Sequence, residues 1–305
     1  MEQRVSDIAA IDRDDVHRLK AVVNDYVQLM KPGILTLLLV TTLGAMLIAE
    51  AGVPSLLLVV MTLIGGTLTA GGANVLNCYI DRDIDAKMHR TKHRATVTGR
   101  VKPIAALTFG IGLTVVGVLV LGVFANWLAA VLALIGNLYY VLIYTLLLKR
   151  TTPHNIVIGG AAGAVPPLVG WAAATGTLAP PAWILFAIIF YWTPPHFWAL
   201  ALLKRGEYGR VNVPMLPVVS GDEETRKQIL LYTLLLTAVT LLMVPFGMGW
   251  IFFIGAVGLC GWFLFLAWRL LVDPTKARAR QAFFYSIWFL AGIFAVMVAD
   301  RMILG

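Results

Sequence analysis

From Met30 onward the chain is a succession of apolar runs, each ended by charge, Pro or Gly. A hydrocarbon core about 30 Å thick needs roughly 20 apolar residues per helical crossing. Nine runs of that order can be read, at roughly 33–50, 55–79, 103–123, 126–148, 155–175, 181–203, 228–247, 250–271 and 281–301. Backbone groups inside a bilayer must satisfy one another, and runs of this length do so as helices. The expected fold is therefore all-α, a polytopic membrane protein of nine transmembrane helices bundled around a central cavity. Charged residues make up 13% of the chain and hydrophobic ones 59%, against about 25% charged in soluble domains, which excludes a soluble multi-domain protein.

The loops alternate in character. The breaks near Ala51–Pro54, Phe124–Trp127, Gly176–Pro181 and Gly247–Gly249 carry no Lys or Arg. All but one of the 24 basic residues fall on the opposite side, Arg301 being the exception. The positive-inside rule then predicts a cytoplasmic N-terminus, an external C-terminus and a cavity that opens toward the cytoplasm. Residues 1–30, rich in Asp and Arg, are expected to form a flexible cytoplasmic tail ahead of one intramembrane domain at 31–305. Basic residues beside a membrane set topology and meet anionic lipid, so the net charge of +8 calls for no nucleic acid partner. Cys78 and Cys260 lie far apart in apolar segments, giving neither a disulfide framework nor a CxxC metal site.

The second run closes on Asn77-Cys78-Tyr79-Ile80-Asp81-Arg82-Asp83-Ile84-Asp85. Residues four apart on a helix are neighbours, so Asn77, Asp81 and Asp85 make one ladder of oxygens, with Asp83 on the other side. Acids at a helix C-terminus oppose its dipole, and a hard cation would neutralise them. Mg²⁺ suits the ladder, because it takes one or two carboxylates and completes its shell with substrate phosphate and water. The plainer alternative is a charged helix end paired with Arg82 and Lys87. The spacing, at the mouth of an apolar bundle, argues against it.

The stretch from Lys87 to Arg94 places Arg90 and Arg94 beside that metal, which suits a polyanion such as a diphosphate. A second polar loop, Lys204-Arg205-Gly206-Glu207-Tyr208, leaves the sixth run. It occupies the corresponding place if runs one to four and five to eight are loosely repeated units. Within the sixth run, Tyr191-Trp192-Thr193-Pro194-Pro195-His196-Phe197-Trp198 is a polar and aromatic interruption. Its paired prolines predict a broken helix, tolerated where backbone lines a cavity. His196 is a functional candidate there, the plainer alternative being a histidine bonded to a backbone carbonyl or facing the water interface. The small residues from Gly159 to Pro167 predict close helix packing with a kink at the prolines.

Together these segments resemble the heme farnesyltransferase branch of the UbiA intramembrane prenyltransferase superfamily. The markers are Lys31-Pro32, the NxxxDxxxD set of Asn77, Asp81 and Asp85, Tyr144 through Lys149-Arg150, Asn155 to Gly160, and Pro166-Pro167-Leu168 with Gly170-Trp171. Trp192 to Leu200 (WTPPHFWAL) and Val213 to Val218 (VPMLPV) complete them. The first acidic motif indicates the superfamily, and the histidine-containing segment points to the heme branch. The chain departs from the family pattern at Gly33, at His93-Arg94-Ala95-Thr96 and at Glu207, and its second loop lacks two spaced aspartates.

The resemblance implies a Mg²⁺-dependent reaction in which farnesyl diphosphate, heme b and water give heme O, in a bacterial inner membrane. It implies a catalytic set of Asn77, Asp81, Asp85 and Tyr208, and a diphosphate site of Arg90, Arg94, Lys149 and Lys204. His196, Trp192, Tyr144 and Glu207 are implied on the heme or prenyl side, where His196 would ligate iron, bind a propionate or brace the proline kink. Membrane lipid and heme A synthase are the implied partners. Two rival readings remain at this point: a superfamily member with a quinone or chlorophyll precursor as acceptor, and an ion transporter using the acidic ladder as its ion site.

Overall fold

The computed structural model describes residues 2–50 and 53–305, with side chains described from Asp15 onward. Residues 51 and 52 of the first predicted break lie outside them. Helix α1 (Glu2–Leu29) precedes α2 (Pro32–Glu50) and α3 (Leu56–Ile80), and two short helices follow, α4 (Arg82–Lys87) and α5 (Ala95–Thr98). Next come α6 (Pro103–Phe124) and α7 (Trp127–Leu138), which passes into a π-helical segment (Tyr139–Leu148) and the single turn α8 (Lys149–Thr151). The second half comprises α9 (Asn155–Thr175), α10 (Pro180–Arg210), short α11 (Leu216–Val219), α12 (Gly221–Leu241), α13 (Trp250–Val272) and α14 (Lys276–Leu304).

Nine helical segments among the described residues are long and apolar enough to cross a membrane, one for each predicted run. The largest boundary differences are in α10 and α12, where helix continues through the polar residues Glu207 and Asp222 beyond the apolar stretch. Hydropathy marks where a chain enters hydrocarbon, whereas a helix ends where its caps do.

Each half repeats one layout. In the first, α3 packs on α6 and α6 on α7; in the second, α10 packs on α12 and α12 on α13. Both α3 and α10 are followed by a polar segment, with two short helices after α3 and one after α10. The halves meet where α2 lies on α9, and α14 closes the bundle against α2, α10 and α13. Without a hydrophobic drive between helices in lipid, close backbone approach holds such pairs together. On α3 and α6 the approach is reciprocal. A Cβ on Gly72 would stand 2.6 Å from the Gly110 carbonyl oxygen, and one on Gly117 would stand 2.7 Å from that of Gly65. Asn137 of α7 ties the pair, donating to the Thr69 carbonyl at 2.7 Å and to Thr114 Oγ1 at 3.0 Å.

One expectation, the break at the paired prolines of the sixth span, is corrected below. The N-terminal segment is helical, and its end is anchored. Arg100 grips the Asp25 carboxylate with two bonds of 2.8 and 2.9 Å, Tyr26 meets Phe109 edge-on, and Leu29 is buried. Helix α10 runs unbroken through Pro194 and Pro195, its one non-helical residue being Lys204 (φ −117°, ψ 16°). Helix α9 likewise continues through Pro166 and Pro167. A proline forfeits one intrahelical bond, and Thr193 Oγ1 donating to the Ile189 carbonyl at 2.8 Å adds a bond one turn before Pro194.

Candidate active site

Helix α3 ends at Ile80, and Asp81 caps it at φ −85°, ψ 7°. The i to i+4 bonding nevertheless continues, with Asp81 N on the Asn77 carbonyl at 2.9 Å and Asp85 N on that of Asp81 at 2.8 Å. Asn77, Asp81 and Asp85 therefore remain one stacked set, 3%, 0% and 3% exposed. Buried charges need partners, and this set has them. Lys149 Nζ pairs with Asp81 and Arg94 with Asp85. Asn77 donates to Asp81 Oδ2 at 2.8 Å and to Thr145 Oγ1 at 3.1 Å, and accepts from Lys31 Nζ at 2.6 Å. Arg150 bridges to Asp83 through two bonds of 2.8 Å and reaches Asp81 Oδ1 at 3.5 Å.

The neighbouring elements explain why the cations arrive there. Lys31 sits between α1 and α2 with φ +58°, a left-handed conformation that costs a side-chain-bearing residue energy and persists where its surroundings fix it. Asn74 holds the same junction by donating to the Met30 carbonyl at 2.9 Å. Lys149 follows the π-helical segment, which it caps by donating its N–H to the Tyr144 carbonyl five residues back. Inside that segment Thr145 Oγ1 bonds the Tyr140 carbonyl at 2.9 Å, and Tyr140 stacks on Tyr144 with centroids 5.3 Å apart. Widened helical turns of this kind recur at functional sites. Desolvation by burial pulls the Lys31 ammonium below the ordinary lysine range, and the Arg150 bond holds Asp83 below the ordinary carboxylate range.

The structure thus brings Asn77, Asp81, Asp85, Arg94 and Lys149 into one connected cluster. Arg90 is exposed and makes no ion pair among the described residues. Lys204 pairs instead with Glu207 at 3.0 Å, and the second carboxylate oxygen of Glu207 is buried without a partner. The two polar loops meet through apolar contact: Ile84 and Met88 pack with Val213 and Met215, flanked by Tyr144, Phe197 and Tyr208. A small cleft of about 150 Å³ between Asp83, Lys87, Arg150 and Val211–Val213 marks the seam. Trp192 and His196 lie within the contact of α10 with α14, where Trp192 Nε1 donates to the Ser286 carbonyl at 2.7 Å and His196 Nδ1 is 2.7 Å from Ser286 Oγ.

Sequence reading missed Lys31 and Arg150 as site residues. Both stood within recognised markers, but a lone basic residue at the mouth of a span also reads as a topology signal. The plainer alternative, a helix end paired with Arg82 and Lys87, is not what the structure shows; Arg82 turns back onto the Tyr79 carbonyl and ring.

A buried acid ladder with a collar of cations thus lies at one end of the bundle of nine candidate membrane spans among the described residues. The chain belongs to the UbiA prenyltransferase family, whose model matches residues 38–290, and it is a multi-pass membrane protein. It is 54% identical over 291 residues to the protoheme IX farnesyltransferase of Gloeobacter violaceus, covering 95% of each chain. With the enzyme of that name from Roseiflexus sp. it shares 51% identity over 284 residues, 93% of this chain and 53% of the relative. With that of Chloroflexus aurantiacus it shares 53% over 287 residues, 94% of this chain and 49% of the relative. The chain therefore spans about half the length of these last two relatives and nearly all of the first.

Among solved structures, a digeranylgeranylglyceryl phosphate synthase matches with TM-score 0.78 at 18% identity, covering 93% of this chain and all of that one. A UbiA homolog from Archaeoglobus fulgidus bound to GPP and Mg²⁺ matches with TM-score 0.66 at 17% identity, covering 90% of this chain and 99% of that one. At such identities the likeness is one of fold.

Proposed function

We propose that this chain converts heme b to heme O: the farnesyl group of farnesyl diphosphate joins a heme vinyl group, water supplies the hydroxyl of the new hydroxyethylfarnesyl side chain, and diphosphate leaves. The observation that carries the reading is the near full-length match to the Gloeobacter protoheme IX farnesyltransferase. The acidic ladder supplies the matching chemistry.

The donor set fits Mg²⁺. Two carboxylates and an amide oxygen are hard ligands, buried on one helix face and turned to a cationic collar rather than sealed by apolar packing. Asn77, Asp81 and Asp85 would hold the ion, and its chemistry there is to neutralise charge on a departing diphosphate. The likeness in fold to the Archaeoglobus homolog bound to GPP and Mg²⁺ supports the assignment.

The rest falls to the chain's own groups. Arg94 and Lys149, which pair with the ladder, would bind diphosphate oxygens beside it. Lys31 and Arg150 hold the ladder's outer edge, while Arg90 and Lys204 extend the positive field toward solvent and the second loop. Fixed cations are most effective where negative charge grows in the transition state. Tyr140 and Tyr144 present stacked ring faces beside the ladder that favour an allylic cation, and the apolar contact of the two loops around Tyr208 excludes water that would quench it. Trp192, His196 and Glu207 belong to the acceptor side. The positive-inside rule places this basic end in the cytoplasm.

Purified protein in lipid nanodiscs, given labelled farnesyl diphosphate, heme b and Mg²⁺, is expected to transfer label to heme. Chelation should abolish the transfer and Mg²⁺ restore it. Transfer that persists through chelation would rule out the metal assignment, and label passing to a quinone precursor but never to heme would rule out the acceptor.

A further inference from the structure

Helix α1 joins the bundle through its last turns, where Asp25 meets Arg100, Tyr26 meets Phe109 and Leu29 is buried. From Asp15 to Asn24 every side chain is exposed. The exposure is not evenly polar. At about 100° per residue, Val16, Leu19, Val22, Val23 and Val27 fall with Tyr26 in one arc of about 140°, while His17, Asn24 and Gln28 fall opposite. Leu19 is 64% exposed and Val23 53%. Arg18 and Lys20 flank the arc on its two sides, and Asp15, the outermost described side chain, is the one acid within it among the described residues.

The direction in which the arc looks follows from Tyr26. Its ring meets Phe109 of α6 edge-on, with centroids 4.9 Å apart, and an open groove of about 670 Å³ runs between Tyr26 and the α6 residues Phe109, Gly112 and Val116. Val116 and its neighbour Val115 are exposed on a helix apolar enough to span a membrane, so the arc shares the side of α6 that faces lipid. Phe109 lies six residues into α6, about 9 Å of helix rise from its start. Interfacial helices bury their apolar face about 5–10 Å below the headgroups, which is the level at which Tyr26 sets the arc. Long basic side chains beside such an arc carry their stems along apolar surface and their charges to the headgroups, and Lys and Arg near a membrane surface favour anionic lipid.

We propose that α1 lies in the lipid interface at the basic end of the bundle, with its valine and leucine arc in the acyl boundary and Arg18 and Lys20 on the phosphates of anionic phospholipid. The surface is separate from the acid ladder, and the inference does not rest on the reaction.

The test places a nitroxide label at Leu19→Cys, Val23→Cys or Asn24→Cys of the full chain, Cys78 and Cys260 being buried. Each protein is embedded in nanodiscs of phosphatidylglycerol with phosphatidylcholine, or of phosphatidylcholine alone. Electron paramagnetic resonance then reads collision with oxygen, which concentrates in lipid, and with a water-soluble nickel chelate. In anionic nanodiscs the labels at 19 and 23 should be open to oxygen and shielded from nickel, and the label at 24 the reverse. The docked fraction relative to the undocked should fall about fivefold for each cation removed, in Arg18→Gln and in Lys20→Gln, and fall likewise without phosphatidylglycerol. Equal nickel access at 19 and 24 in anionic nanodiscs would overturn the proposal. So would shielding that is the same with and without anionic lipid. Shielding from both colliders, with spin–spin broadening between labels, would assign the arc to a second copy of the chain instead.

Discussion

Asp81 is the most enclosed of the ladder residues and bonds Asn77, Lys149 and Arg150 at once. Its replacement by Asn keeps the shape and removes the charge, so it separates chemistry from folding. Asp81→Asn should lower heme O formation by about 10²- to 10³-fold while the protein still elutes as a single species in detergent. Asp81→Ala is the poorer test, because it also removes the oxygen that accepts from Asn77 and Lys149 and so leaves buried donors without a partner. A contrasting residue is Asp300 of α14, which is buried and accepts from Gly249 N at 2.6 Å and Phe252 N at 2.9 Å, capping the start of α13 from another helix. Asp300→Ala is expected to destabilise the fold by about 1–3 kcal/mol, read as a lower melting temperature, with transfer per folded molecule unchanged. The ladder was legible in the sequence because its i, i+4 spacing is a local rule. Its cations were legible only in part: Lys31 arrives through a left-handed backbone turn and Arg150 through a π-helical register, neither of which residue identity announces.

Backbone contact between α3 and α6 sets where the ladder emerges from the bundle, since Gly65, Gly72, Gly110 and Gly117 let the two helices touch. Gly117→Leu would drive a side chain against Thr69 N and the Gly65 carbonyl, 2.6 and 2.7 Å from its first carbon. It should cost about 1–3 kcal/mol and reduce transfer. Gly112→Leu on the same helix, with open space around its Cβ, should change neither; thermal unfolding in detergent and the transfer assay read both. Helix positions followed from hydropathy, which is strong when every span faces lipid. The prolines misled for a physical reason. Pro194 and Pro195 lie inside a helix that packs on α9, α12 and α14, and the non-helical residue falls instead at Lys204, near the polar end.

At the scale of the molecule, the two halves share a layout of paired helices and polar loops that the sequence suggested only in outline, because packing order leaves little trace in residue identity. The basic residues crowd one end, and their bias predicts orientation: alkaline phosphatase fused after Gly305 should be active outside the cell, and the same reporter inserted in the 87–94 loop inactive. Reversed activities would move the ladder to the wrong side for a cytoplasmic diphosphate. The central claim is that this ladder drives farnesylation of heme. Its most direct test is expression in a bacterial host whose own heme O synthase has been deleted, with hemes extracted in acid and separated by chromatography. Heme O is expected from the wild-type chain and only heme b from Asp81→Asn at equal membrane abundance. Heme b alone from the wild type, or undiminished heme O from Asp81→Asn, would contradict it.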